Sequence, residues 1–418
     1  MLRFFLFVIR LQQIRKTLTK IRQNIFLLNQ VPKFFKQLIF PRELNLLFLS
    51  IFLFAITLGM NAVSFPAILN KNGVDAARIG IAFTLDCLGG ILISFFLSLI
   101  VSRLKMMKTM AFAAIAYSVI ILTIYFYQNF YLWMLLAFTM GGLWFMYVIT
   151  RQSWLNILLT EKTRGVGLGV FSMLISAGIA LGPVVVKFIG AENYLSFVIA
   201  ALLTLISFLC LLPLADNQQP VLEPRRIALK EFFQTNPRIF LARFFLDLQT
   251  YVLITFTVIF GVKIGLSYEV AGLLISAYMA SGFCDLAIGF LLKKWNPYQL
   301  INYGFLGSMC SFLLIIFFHN YKFLLCCYFL FGVFVACIYV SSFKVCNDDF
   351  RAQKLVAANA TFQLIGALGS LSGSLIGGVL FNVFGAIGFP ITIVLSCACC
   401  LWFFAIYQKR SLKNNASF

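Results

Sequence analysis

Seven ionisable side chains interrupt the long apolar runs of this chain: Asp86, Arg151, Lys187, Arg243, Asp247, Asp285 and Lys344. A charge at membrane depth costs about 3 kcal/mol or more unless it meets a partner or water, so each is a candidate for handling a proton, an ion or a solute. Lys187 lies near a helix end, where its stem reaches water. Arg243 and Asp247 stand one turn apart, so they either neutralise each other or face a route together. Arg151 and Lys344 lie within two turns of a helix end, where snorkelling competes with a cavity role. Asp86 and Asp285 have short side chains in mid-helix. Burial favours the neutral acid and contact with water favours the carboxylate, so such a group is suited to taking up and releasing a proton. Asp86, Asp285 and Asp247 are the proton-coupling candidates.

Other chemistry lacks its parts. His319 is the single histidine, and most of the 11 cysteines lie inside apolar runs, so no metal set or nucleophile–base constellation is present in the pattern. A phosphate-cradling G-x-x-x-x-G-K loop is absent as well, and no cofactor is expected.

The elements that must hold these residues follow from composition. With 62 % hydrophobic and 11 % charged residues, and a mean hydropathy of +0.97, the 418 residues carry more apolar surface than one water-soluble core hides. Runs of ~20 apolar residues, rather than alternating runs of ~10, predict an all-α polytopic membrane protein with about twelve spanning helices. The spans divide into a six-helix bundle over 45–214 and another over 239–407. Between them lies a Pro-bearing polar loop, 215–238, and 408–418 forms a tail. Residues 1–44 are basic, and from Leu11 their apolar positions keep helical spacing, as in a helix lying on anionic lipid.

The formal net charge of +20 does not indicate a nucleic-acid partner. The basic residues crowd the N-terminal segment, the break around Arg103, the central loop and the C-terminus, and nearly vanish from alternate breaks. This positive-inside bias predicts a multi-pass protein of the cell (inner) membrane with both termini cytoplasmic.

Gly141 and Gly332, Asn156 and Asn347, Gly178 and Gly369, and Gly182 and Gly373 all differ by 191 positions. An internal repeat of half the chain is implied, of the kind that holds cargo between its halves. Gly178 and Gly182 lie one turn apart beside Pro183, predicting a close and bendable helix contact, and Gly369 and Gly373 repeat it. Asp86, Gly90, Ser94, Ser98 and Ser102 form one small or polar stripe. Its shifted counterpart carries Asp285, Gly289 and Lys293, with the two acids eight residues apart in register, or ~12 Å of rise.

Twelve spans in two repeats with a longer central loop resemble the major facilitator superfamily over nearly everything after residue 44. S-W-L-N at Ser153 to Asn156, R-G at Arg164 and Gly165, and L-V-A-A-N-A-T at Leu355 to Thr361 are similar to a bacterial branch of YcaD type. The family's loop motif G-x-x-x-D-R-x-G-R is degenerate here: Ser98 and Ser102 replace the glycine and aspartate, and Arg103 is kept. In the second half Gly289 remains, while Lys293 stands where an acid is usual. The resemblance implies a secondary transporter, a monomer in the lipid bilayer, moving a small-molecule solute and protons by alternating access. It further implies a cavity offering Asn61, Trp144, Tyr147, Arg151, Asp247, Tyr251, Tyr339 and Lys344, whose cations lean towards an anionic or zwitterionic solute. A transporter-like sensor or scaffold without flux is the alternative, and a membrane-embedded enzyme is a more distant one.

Overall fold

The computed structural model describes residues 40–127, 129–159, 164–214, 228–292, 294–350 and 355–415. The amphipathic N-terminal segment, the greater part of the central loop, Glu161, Lys162 and Lys293 lie outside the described residues.

Fourteen α-helices are described: α1 Arg42–Lys71, α2 Ala76–Leu104, α3 Met106–Phe126, α4 Phe130–Leu158, α5 Arg164–Ile189, α6 Tyr194–Leu209, α7 Leu229–Thr235, α8 Pro237–Lys263, α9 Tyr268–Ala280, α10 Asp285–Leu291, α11 Pro297–Phe317, α12 Tyr321–Asp349, α13 Leu355–Phe384 and α14 Gly388–Asn415. Short polar caps start them. Asp75, Asn129, Asn193, Asn236, Ser267, Asn296 and Asn320 each accept a hydrogen bond from a first-turn amide, and Pro237 and Pro297 occupy first-turn positions. Gly73 and Gly265 turn the chain between α1 and α2 and between α8 and α9 at φ of 74° and 92°.

Among the described residues no strand is present, and eleven stretches are long and apolar enough to cross a membrane. The last, Ala357–Tyr407, has 51 residues. At 1.5 Å per residue it would far exceed a ~30 Å hydrocarbon core as one rod. The 3₁₀ turn Gly385–Ile387 instead divides it, and α14 packs back on α13.

Two expected elements differ. The stripe expected to carry Asp285 and Gly289 along one helix is interrupted: α9 and α10 are separated by the 3₁₀ segment Ser281–Cys284, so Asp285 starts a new helical phase. Part of the expected polar loop is α7. Its Phe232 is fully buried and stacks on Phe350 with ring centroids 5.0 Å apart, an apolar anchor that lysine and glutamate neighbours conceal in the sequence.

α1 and α8 are the most enclosed spans, each 67 % buried, which places them at the centre. α1 packs on α5 and α6, α2 on α4, and α3 on α4 and α6; likewise α8 packs on α13 and α14, α9 on α12, and α11 on α12 and α14. The sets α1–α6 and α8–α14 join mainly through α2 against α13 and α5 against α9. Phe112, Val119, Phe188 and Val383 face outward without cover, as lipid-facing side chains do.

Candidate functional site

A cavity of about 240 Å³ opens between the two sets of helices. Asn61 of α1, Asp86 of α2, Tyr117 of α3, Trp144 of α4 and Tyr251 of α8 supply its polar atoms, and the remaining wall is apolar, with Phe65, Met140 and Met279 among its members. Glycine packing sets the position of Asp86. A Cβ on Gly141 would strike the backbone of Asp86, and one on Gly89 would strike the carbonyl of Phe138, so the paired absence of side chains lets α4 press onto α2 at this level. Asn61 Nδ2 donates to the Tyr117 hydroxyl at 3.1 Å, which fixes both groups on the wall. Tyr251 lies beside Cys87, the neighbour of Asp86. Trp144 Nε1 is buried without a partner. Among the described residues neither an ion pair nor a hydrogen bond engages the Asp86 carboxyl, and no lysine or arginine lines the cavity.

The other candidates lie elsewhere. Arg243 Nε approaches Asp247 Oδ2 at 2.8 Å, a close ion pair whose N–H points off the oxygen. Its guanidinium also donates to Gln363 Oε1 at 3.0 Å and lies over the rings of Phe362 and Tyr339 at 4.8 and 5.2 Å. Asp247 and Tyr339 are thus committed to a packed cluster of α8, α12 and α13. Arg151 neither reaches water nor enters the cavity, being 2 % exposed. It donates to the Ser50 carbonyl at 3.1 Å and the Tyr147 carbonyl at 3.3 Å, with its guanidinium 3.9 Å from the Tyr147 ring centroid. Tyr147 in turn is hydrogen-bonded to Ser207 at 2.9 Å. Lys344 is exposed and pairs with Asp348 at 3.0 Å. Asp285 does not line the cavity either. The lean towards an anionic solute, which rested on Arg151 and Lys344, therefore has no cation at the site to support it. Sequence reasoning also passed over Tyr117 and Trp133, because the resemblance directed attention to the first, fourth, seventh and tenth helices; the shared level of Tyr117 and Asp86 is set by packing between helices and leaves no local pattern.

The glycines act at close approaches. A Cβ on Gly178 would meet Ala55 and the Phe52 carbonyl, and one on Gly182 would fall on the backbone of Gly59 and Met60, so α5 lies directly on α1. Gly369 and Gly373 meet the Phe244 and Leu248 carbonyls in the same manner, seating α13 on α8. α5 runs unbroken through Pro183, which packs towards Gly272 of α9. At the degenerate loop, Arg103 is exposed and Gly289 has open space around it. Lys105, at the position of that motif's second glycine, has φ 63° and ψ 155°, a conformation nearly reserved for glycine.

Beyond Leu69 on the cavity wall, polar latches join the two sets of helices. Asn382 of α13 donates to Asp75 at 3.1 Å and accepts from the Ala77 amide at 3.3 Å. Glu269 of α9 accepts from the Ala191 amide at 3.0 Å, and Asn70 donates to Tyr268 at 2.9 Å. Ala191 and Asn382 are themselves 191 positions apart, so the two latches use corresponding places. Burial alone would raise the Asp75 carboxyl; the Arg78 amide, the Asn382 side chain and the Arg78 guanidinium outweigh it and hold the group below the usual carboxylate range. Further hydrogen bonds between the two sets run from Thr84 to the Leu371 carbonyl and from Ser276 to the Ala180 carbonyl.

The sequence model of the Major Facilitator Superfamily matches residues 47–318 and 239–417. The chain is 23 % identical over 339 residues to the "Uncharacterized MFS-type transporter YfkF" of Bacillus subtilis (strain 168), covering 78 % of this chain and 85 % of that protein. Its fold is similar to the crystal structure of the nucleoside transporter NupG, with a TM-score of 0.72 at 14 % identity over 88 % of this chain and 98 % of that one. It is also similar to a bacterial homolog of the human lysosomal transporter Spinster in an inward-facing and occupied conformation, with a TM-score of 0.66 at 16 % identity over 90 % and 96 % of the two chains. A largely apolar cavity with a few polar groups between two sets of membrane-length helices, and a family match spanning both sets, lead to one assignment: the chain is a transporter of the Major Facilitator Superfamily.

Proposed function

We propose that this chain is a secondary active transporter that carries a small solute by alternating access and couples the movement to protons at Asp86. Twelve crossings form two six-helix halves, 45–214 and 239–407, and the solute sits between them. The observation that carries this reading is the placement of Asp86 in a cavity between the two sets of helices, its carboxyl without an ion pair or hydrogen bond among the described residues, with polar latches joining the sets towards one end. In the proposed orientation the latched end faces outward and both termini are cytoplasmic, in line with the basic residues of the opposite breaks. The S-W-L-N motif supports membership of the YcaD-type branch. The work of the site is read as transport rather than bond-making, in line with the family to which the chain belongs.

The degenerate loop, with Lys105 in its strained conformation, favours a second reading: a sensor that binds without flux. Single cysteines introduced as Lys71→Cys, Ala137→Cys and Arg225→Cys, on a background without accessible native cysteines, distinguish the two. Position 71 is expected to label from outside only and position 225 from inside only. Position 137, on the cavity wall, is expected to label from inside in one state and from outside after solute or pH is changed. Reactivity at 137 that stays on one side under all conditions supports the sensor.

A further inference from the structure

We propose that the solute is a compact organic cation with an aromatic or branched apolar body, its charge seated at Asp86. This rests on reading the cavity as the solute site. Nothing basic lines that cavity among the described residues, and Asp86 is the sole ionisable acid on its wall. The two nearby arginines are already engaged: Arg151 by carbonyls and aromatic faces between α1, α4 and α6, and Arg243 by Asp247. An anionic solute would therefore face a carboxyl with no compensating charge, whereas a cation would pair with it in a setting of low dielectric, where such pairing is strong.

The rest of the wall fits the same ligand. Trp144, Tyr117, Trp133, Phe65 and Phe83 surround the space with aromatic side chains, whose faces attract cations and whose edges pack against an apolar body. The polar groups of the wall are few, those of Asn61, Asp86, Tyr117, Trp144 and Tyr251, and Asn61 and Tyr117 spend one hydrogen bond on each other, so the wall suits a sugar or a polyol poorly. A volume of about 240 Å³ holds one small molecule rather than a long or branched polar one.

The test uses three probes of similar shape: benzyltrimethylammonium, phenylmethanesulfonate and neutral benzyl methyl sulfone. Equilibrium dialysis against the purified full chain in nanodiscs of zwitterionic lipid, corrected with empty nanodiscs, gives each affinity. Benzyltrimethylammonium is expected to bind at least about tenfold more tightly than either other probe. Asp86→Asn is expected to weaken the cation by about tenfold or more and the sulfone by less than about twofold, while Asp86→Glu restores the cation to within a few-fold. Sulfonate binding equal to or tighter than that of the cation overturns the proposal, as does wild-type cation affinity in Asp86→Asn. If Asp86→Asn does not fold, the three-probe comparison on the wild type and on Asp86→Glu decides. In proteoliposomes, flux of an anionic solute without cation binding removes this proposal and leaves the transporter reading standing. Cation binding without flux of any solute supports the site and removes the transporter reading.

Discussion

In proteoliposomes the Asp86→Asn variant is expected to lose gradient-driven accumulation, its inside-to-outside ratio falling to about one, while solute-for-solute exchange persists once the solute concentration is raised about tenfold or more to offset the weaker binding. Asparagine keeps the shape of the side chain and fixes its neutral form, so the solute route stays open while the proton cycle stops. The reasoning depends on the isolation of the carboxyl in the cavity, where the described residues offer it neither cation nor donor. Its free energy therefore responds to what the cavity admits, water or solute, and differs between a closed and a wetted state. Asp247 lacks this freedom because Arg243 holds it at 2.8 Å, and Asp285 does not line the cavity. Accumulation by Asp86→Asn with wild-type pH dependence would make Asp86 a structural residue and return attention to those two acids.

The Gly182→Leu variant is expected to insert normally and to lose at least about tenfold of its flux, because overpacking a tight helix crossing typically costs about 1–3 kcal/mol and here displaces backbone rather than a flexible side chain. The added Cβ alone lands on Gly59 and Met60 of α1. α5 also carries Ala180 and Pro183 against α9 and Ser176 against the 3₁₀ segment Ser281–Cys284, so a shift away from α1 presses on the junction between the two sets. Membrane insertion measured beside flux separates the effect from misfolding, and wild-type flux in a correctly inserted variant would show that the crossing does not need its glycine.

The large features of the fold were legible because the membrane imposes them on the sequence. Apolar runs of spanning length, broken by Asn, Asp and Ser caps, mark where helices start, and the glycines at the 191-residue offset mark where helices touch. Asp86, Asn61, Trp144 and Tyr251 were legible as cavity residues, the first from the cost of a buried charge and the others through family resemblance. Arg151, Tyr147, Tyr339, Asp247 and Lys344 were not separable from them in the sequence. A buried arginine satisfied by carbonyls and aromatic faces and one facing a cavity have the same local pattern, and the difference lies in partners such as Ser50, 101 positions away. The 3₁₀ break at Ser281–Cys284 was hidden for a related reason: its residues are small and apolar enough to continue a helix, and contacts with Ser176 and Gly332 are made where it departs from one. The latches escaped notice because Asp75 looks like an ordinary helix cap and Glu269 like an ordinary first-turn acid until α13 and the turn after α5 are brought against them.

The most direct test of the account is uptake of labelled solutes by the purified wild-type chain in liposomes carrying an imposed pH gradient, beginning with benzyltrimethylammonium and continuing through anionic, zwitterionic and neutral compounds. The account predicts that at least one solute accumulates unchanged, that collapsing the gradient releases it, and that protein-free liposomes show neither effect. Binding without accumulation across the whole series, or recovery of the solute in a chemically altered form, would contradict it.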